Sequence, residues 1–182
     1  MQKLTEEPTT SSPRTFRIDA DVMRGLEEEA RRQGATVNGL TCRILRKYVK
    51  IGTKLEQFSI LSFPKNDLLL IMNSVTDEEL ARLGLQIGKS SAKEIMLQLF
   101  GELSINTFRQ FLSLYFSGYA NWASFSEERR GDALEIRIGH SLGDKWSIFL
   151  KNYLEGAITE TLKKKPEFKY VSSYSIILSI TY

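Results

Sequence analysis

The side chains that most often carry catalysis or hold metals are scarce in this chain. Its 182 residues include one histidine, His140, and one cysteine, Cys42. Transition-metal sites need clustered imidazole or thiolate ligands, and one of each supplies too few. A single axial histidine for haem is the remaining option. By strand parity, however, His140 shares a face with Ile136 and Ile138, which fits a core or boundary histidine better. The run Gly139-His140-Ser141-Leu142-Gly143 lacks the order of a nucleophile elbow, and no phosphate-binding glycine loop is present. Glu127-Glu128-Arg129-Arg130 is a charge run, expected in a solvated loop. No catalysis, no metal site and no cofactor are therefore expected.

Charge is more informative, once located. The formal net charge is +3. Residues 1–52 hold ten Lys/Arg and seven Asp/Glu, while the remainder holds fifteen of each. No acid falls between Glu29 and Glu56, yet seven basic residues do. The whole excess sits in one short segment, as in a module that meets phosphate; a solvated basic helix is the plain alternative.

The elements that would position this charge can be read in order. Residues 1–13 are polar and rich in Ser, Thr and Pro, which suits a disordered arm. Arg14-Thr15-Phe16-Arg17-Ile18 alternates polar and apolar, the period of a half-buried strand. Asp19 follows as an N-cap, with Asp21 in the first turn. Val22, Leu26 and Ala30 then recur every four residues, with Met23 beside them, a narrow apolar stripe on a charged helix. Gly34 is placed to end it. Thr36 opens a second helix with Val37, Leu40, Ile44, Tyr48 and Ile51 on its apolar face, widened by Leu45 and Val49, and Gly52 is expected to stop it.

A strand and two helices in about 38 residues are too small to bury a core without oligomerisation or a staple. The lone strand also has no pairing partner. Both deficits vanish if two copies pair their strands antiparallel and interlock their helices, so a homodimer follows. The alternative is that residues 14–51 are part of one larger domain.

This segment resembles the ribbon-helix-helix family of DNA-binding proteins, of the Arc and MetJ type. The matching residues are the ribbon Thr15-Phe16-Arg17-Ile18, the helix-ending Gln33-Gly34, and Ala35-Thr36-Val37-Asn38 at the start of the second helix. The resemblance covers about a fifth of the chain. It implies that two ribbons enter the major groove as a two-stranded sheet. Thr15 and Arg17 would face the bases, with Arg17 able to take a guanine bidentately. Phe16, Ile18, Val22, Leu26, Leu40 and Ile44 would form the dimer core. Pro13, at the next outward position, departs from the usual polar residue. The resemblance further implies a phosphate clamp at the start of the second helix, from Thr36, Val37 and Asn38, with Arg14 reaching a phosphate from the ribbon end. Arg43, Arg46, Lys47 and Lys50 would add to the field.

From about residue 55 the chain is richer in aromatics and reads as a mixed α/β domain, 55–182, with several helices and a small antiparallel sheet. Residues 57–63 suggest a strand, and 67–73 and 76–87 short helices, the latter started by Thr76. Ser91 and Ser104 are placed to cap two more helices, the second carrying Phe108, Phe111, Leu112 and Tyr115. Residues 133–140 alternate like a strand. Asp144 is placed to cap a helix with Trp146, Phe149, Leu150, Tyr153, Ala157 and Ile158 on one stripe, and Pro166 to end the connection after it. Residues 168–171 and 175–181 suit a closing hairpin. The fold class expected is α+β, a dimeric ribbon-helix-helix unit at 14–52 followed by this rear domain.

The pattern from residue 133 onward is similar to small ligand-binding regulator domains of the four-vinyl-reductase type, in pattern alone and with no residue carried over. Tyr115, Phe116, Tyr119, Trp122, Phe125, Trp146, Phe149 and Tyr153 either line a pocket or fill a core. Three roles stay open for the rear domain: a small-molecule sensor, the toxin-neutralising part of an antitoxin, or an assembly module without ligand. Composition adds the setting. The longest apolar stretch, 68–72, is far too short to span a bilayer, no secretory segment opens the sequence, and one cysteine excludes an internal disulfide. The expectation is a cytoplasmic, prokaryotic transcriptional regulator, a repressor or an activator, whose partners are double-stranded DNA and a second copy of itself, with pairing of dimers into tetramers left open.

Overall fold

The computed structural model describes residues 12–56 and 63–182, and the chain divides into two compact units between Tyr48 and Val49. The architecture is mixed α+β. No helix among the described residues is long and apolar enough to cross a membrane.

The first unit is built on two helices, α1 (Ala20–Arg32) and α2 (Val37–Lys47). Asp19 holds the N-cap position of α1 in an extended conformation, but its side chain makes no capping bond. Gly34 follows α1 with φ +62°, a left-handed turn that glycine enters without steric cost. Thr36 then caps α2, its Oγ1 accepting from the Gly39 N–H at 3.1 Å. Residues 12–19 form neither helix nor strand. A strand exists by its ladder, and among the described residues of one copy residues 14–18 have no strand to pair with. The expected arm, 1–13, lies outside the described residues except for Ser12 and Pro13.

Gly52 does not stop the second helix as expected. α2 is followed without a loop by a π-helical turn (Tyr48–Gly52) and by the single turn α3 (Thr53–Leu55), with Gly52 itself at helical φ and ψ. Glycine permits a break without requiring one. Here Ile51 and Leu55 are buried in the core of the second unit, so helical continuation is favoured by burial.

The second unit sets helices against one face of a sheet. After α4 (Lys65–Asn73) comes α5 (Asp77–Phe100), started by a full capping box between Thr76 and Glu79 and ended by Gly101 in the left-handed region. The sequence suggested two helices here, one ending at residue 87 and one opening at Ser91. The Gly88-Lys89-Ser90-Ser91 run looks like a stop followed by a start, but the helix passes straight through it. Gly84 and Gly88 serve helix packing instead. A Cβ on Gly84 would stand 2.3 Å from the carbonyl oxygen of Phe149, and one on Gly88 2.1 Å from that of Tyr153. Both carbonyls belong to α7 (Gly143–Leu162), so α5 and α7 touch backbone to backbone.

Ser104 caps α6 (Ile105–Gln110) as expected, reciprocally with Thr107. A π-helical run (Phe111–Ser117) continues it, and its wider turn sets Phe111 near both Tyr115 and Phe116, with ring centroids at 5.4 and 6.4 Å. The strand suggested at 57–63 lies outside the described residues save for Phe63, which is not in a strand.

The sheet consists of β1 (Ser124–Arg130), β2 (Ala133–Gly139), β3 (Glu167–Val171) and β4 (Ser175–Thr181), all antiparallel, in the order β1-β2-β4-β3. The closing hairpin is thus present, and β4 lies beside β2. On the inner face Leu134, Ile136 and Ile138 stand directly opposite Ile180, Leu178 and Ile176, all buried. Glu127 to Arg130, expected in a loop, form most of the edge strand β1. Their alternation was hidden because an edge strand buries one face poorly, so its charges need not alternate with apolar residues. Asp144 is not the cap of α7 but lies in its first turn, where its carboxylate takes the Ser173 hydroxyl.

Candidate functional site

In the first unit the side chains singled out for recognition are exposed. Thr15 and Arg17 are solvent-facing, and so are Thr36 and Asn38, with Val37 half-buried. Arg14 is exposed and donates to the neighbouring Pro13 carbonyl at 3.4 Å. Thr36, Val37 and Asn38 open α2, where the first N–H groups have no carbonyl of their own helix to reach and carry the positive end of its dipole. Gln33 links the two helices, donating to Glu29 and accepting from Arg43. Hydrogen bonds from Arg32 and then Gln33 hold the Glu29 carboxyl below the usual carboxylate range.

The expected dimer-core residues divide. Leu40 is buried and Leu26 half-buried within a single copy, whereas Phe16, Ile18, Val22 and Ile44 are exposed, Phe16 at 68% and Ile44 at 48%. Among the described residues of this unit, Ala30 and Leu40 are the buried apolar side chains. That is too little to hold two helices together in water, where helices this short are marginal.

The second unit contains a cavity of about 1190 Å³. Its deeper wall is aromatic: Tyr115 from the π-helical run, Trp122 from the loop before β1, and Trp146 and Phe149 from α7. Trp122 stands edge-on to Trp146 with centroids at 5.5 Å and planes at 84°, while Trp146 and Phe149 stack at 5.3 Å. Lys65, Tyr119, Asn121, Ser141 and Tyr174 form an exposed rim. Lys65 reaches across to Ser141, Nζ to Oγ at 3.0 Å. The aromatics named from the sequence therefore serve both expected ends: Phe116 and Tyr153 fill the core, and Tyr115, Tyr119, Trp122, Trp146 and Phe149 line the cavity. Two buried polar atoms, Trp146 Nε1 and Tyr153 Oη, have no hydrogen-bond partner among the described residues. Burial pushes the Tyr153 hydroxyl far above the ordinary tyrosine value.

His140 lies at the cavity edge, half-buried, at the end of β2. Its Nδ1 accepts from the Leu142 N–H at 3.4 Å, and its Nε2 is 3.0 Å from Ser147 Oγ. Ser147 in turn donates to the Ser172 carbonyl at 2.6 Å. These bonds fit a neutral ring with the proton on Nε2, and burial lowers its basicity further. Both nitrogens are engaged in holding the β2–α7 connection against the β3–β4 turn. Cys42, on α2, is exposed and free. No group of three potential metal-ligating side chains occurs among the described residues.

One cluster escaped the sequence reading. On the outer face of the sheet, Glu135 of β2 is buried beneath Arg130, Arg137 and Lys169, with Arg137 at 2.7 Å and Lys169 at 3.3 Å. Burial raises the Glu135 carboxyl, but the bonds from Arg137 and Lys169 and the nearby charges outweigh it, and the net direction is down. Cross-strand parity could have found this group once β1 and β3 were placed. No protein-family model matches the chain, and no curated protein matches it.

Proposed function

We propose that the chain is a homodimeric, sequence-specific DNA-binding transcriptional regulator whose paired ribbons enter the major groove and whose second unit senses a ligand. The observation that carries this reading is the unfilled first unit. A segment with two buried apolar residues and exposed Phe16, Ile18, Val22 and Ile44 needs a second copy to complete its core. Pairing residues 14–18 of two copies would supply the missing ladder, turn Phe16 and Ile18 inward and leave Thr15 and Arg17 outward over the base edges. Thr36, Val37 and Asn38 would then meet phosphate and fix orientation without reading sequence. The sensor role is supported by the aromatic cavity. The continuous core of the second unit also favours a folded module over a short neutralising tail. A cytoplasmic location is part of the same proposal.

The test is a titration of duplex DNA with the full chain at two salt concentrations, with sedimentation in parallel. Dimers whose affinity falls steeply with salt are expected, because Lys and Arg contacts release counterions. Phe16→Asp is expected to give monomers, since pairing would bury an unpartnered charge. A monomer that binds no DNA at low salt, or a Phe16→Asp dimer, overturns the proposal.

A further inference from the structure

We propose that the cavity of the second unit binds an aromatic carboxylate, its rings against the wall of Trp122, Trp146 and Phe149 and its carboxylate at Lys65. The proposal deepens the sensor reading of this unit and rests on it. Size and lining come first. At about 1190 Å³ the space is somewhat larger than most small-molecule sites, which are mostly apolar with a few placed polar groups. The deeper wall is made of ring systems that meet one another edge-on or in offset stacks, leaving further ring surface toward the cavity. Such walls favour a flat, polarisable body over a flexible chain, because ring pairs gain from geometry beyond the area they bury.

Charge then selects the polar end. Among the described residues no Asp or Glu lines the cavity, and Lys65 is the one permanently cationic side chain on its lining. Among the described residues Lys65 has no carboxylate partner; its Nζ donates to Ser141 and keeps two further N–H donors. His140 adds no competing cation, since both ring nitrogens are bonded within the protein. An aromatic ring system with an anionic acceptor group answers each of these features.

The experiment is calorimetric titration of the full chain with 2-naphthoate, 2-naphthylmethanol, 2-naphthylmethylamine and decanoate, alongside the neutral dye Nile red. Naphthoate is expected to bind about tenfold more tightly than the neutral alcohol, and the amine more weakly still. Lys65→Met should remove the preference for naphthoate over the alcohol. Equal binding of acid and alcohol overturns the anionic part, and equal binding of decanoate overturns the aromatic part. Nile red binding without naphthoate binding overturns the proposal and leaves the sensor reading standing. If neither binds, both fall.

Discussion

Replacing Gly88 by alanine pits a known gain against a structural clash. Alanine is favoured over glycine inside a helix by about 0.5–1 kcal/mol. Against this, the added methyl would stand 2.1 Å from the Tyr153 carbonyl oxygen and 2.9 Å from two more backbone atoms of α7. Ordinary contact begins near 3.4 Å, so the helices must part by roughly an ångström, and no flexible side chain can yield instead. A gap of that size forfeits about a quarter to a half of each dispersion contact along the seam. Overpacking of this kind costs about 1–3 kcal/mol. The expected net effect is a loss of about 1–2 kcal/mol despite the better helix former. Gly25→Ala in α1 is the contrasting case: nothing lies within 4 Å of its added Cβ, and it should gain the propensity term alone, read by helical circular dichroism because the first unit holds no tryptophan. Urea unfolding followed by tryptophan fluorescence reads the second unit, which holds both tryptophans. Because Ile87 of α5 and Trp146 and Phe149 of α7 line the cavity, Gly88→Ala should also weaken any dye bound there. A Gly88→Ala protein as stable as the wild type would show that α5 and α7 are not in backbone contact.

Other outcomes follow from the same geometry. Arg17→Ala should cost about 1–3 kcal/mol of specific DNA affinity with sedimentation unchanged; unaltered affinity and specificity in a gel-shift titration removes Arg17 from base reading. Burial lowers the His140 imidazole below its ordinary value of 6.5, so the unfolded chain takes up the proton first. Stability should therefore fall as pH drops below about 6.5 and be insensitive to this group above it. His140→Gln should remove that component, and a variant profile parallel to the wild type through this window refutes the assignment. Glu135→Gln leaves Arg130 and Arg137 with exposed Glu128 and takes the carboxylate from Lys169, and should lower the thermal midpoint, less so at high salt. An unchanged midpoint at low salt contradicts a coupled network.

Local chemistry was the legible part of the fold. Gly34, Thr36, Thr76 with Glu79, and Ser104 mark helix ends through interactions within four residues, which a sequence displays directly. The alternation of Ile176, Leu178 and Ile180 likewise announced a strand with one buried face. What stayed hidden depends on distant partners. Gly88 reads as a helix breaker until Tyr153 is placed against it, and Gly52 until Ile51 and Leu55 are known to be buried. Glu127 reads as solvated, although its carboxylate pairs with Arg109 of α6, Nε to Oε1 at 2.7 Å. The cavity is drawn from four helical segments and the loops at the ends of the sheet, so its aromatics were visible as a composition but not as a wall. Thr15 and Arg17 were named through alternation and resemblance; both are exposed, and so are their neighbours Phe16 and Ile18.

The sheet of the second unit is open, and each of its rims bears on how copies can gather. β1 presents Glu127, Glu128, Arg129 and Arg130 along one rim. β3, on the other, carries Lys169 and a register irregularity between Phe168 and Tyr170. Charges and bulges on outer strands deter a neighbouring chain from adding to the ladder. Residues 14–18 carry no such guard on Phe16 and Ile18. Under the proposed pairing, strand addition between molecules would be steered toward that short stretch, and a ladder of five residues would close on a single partner instead of growing into a fibre.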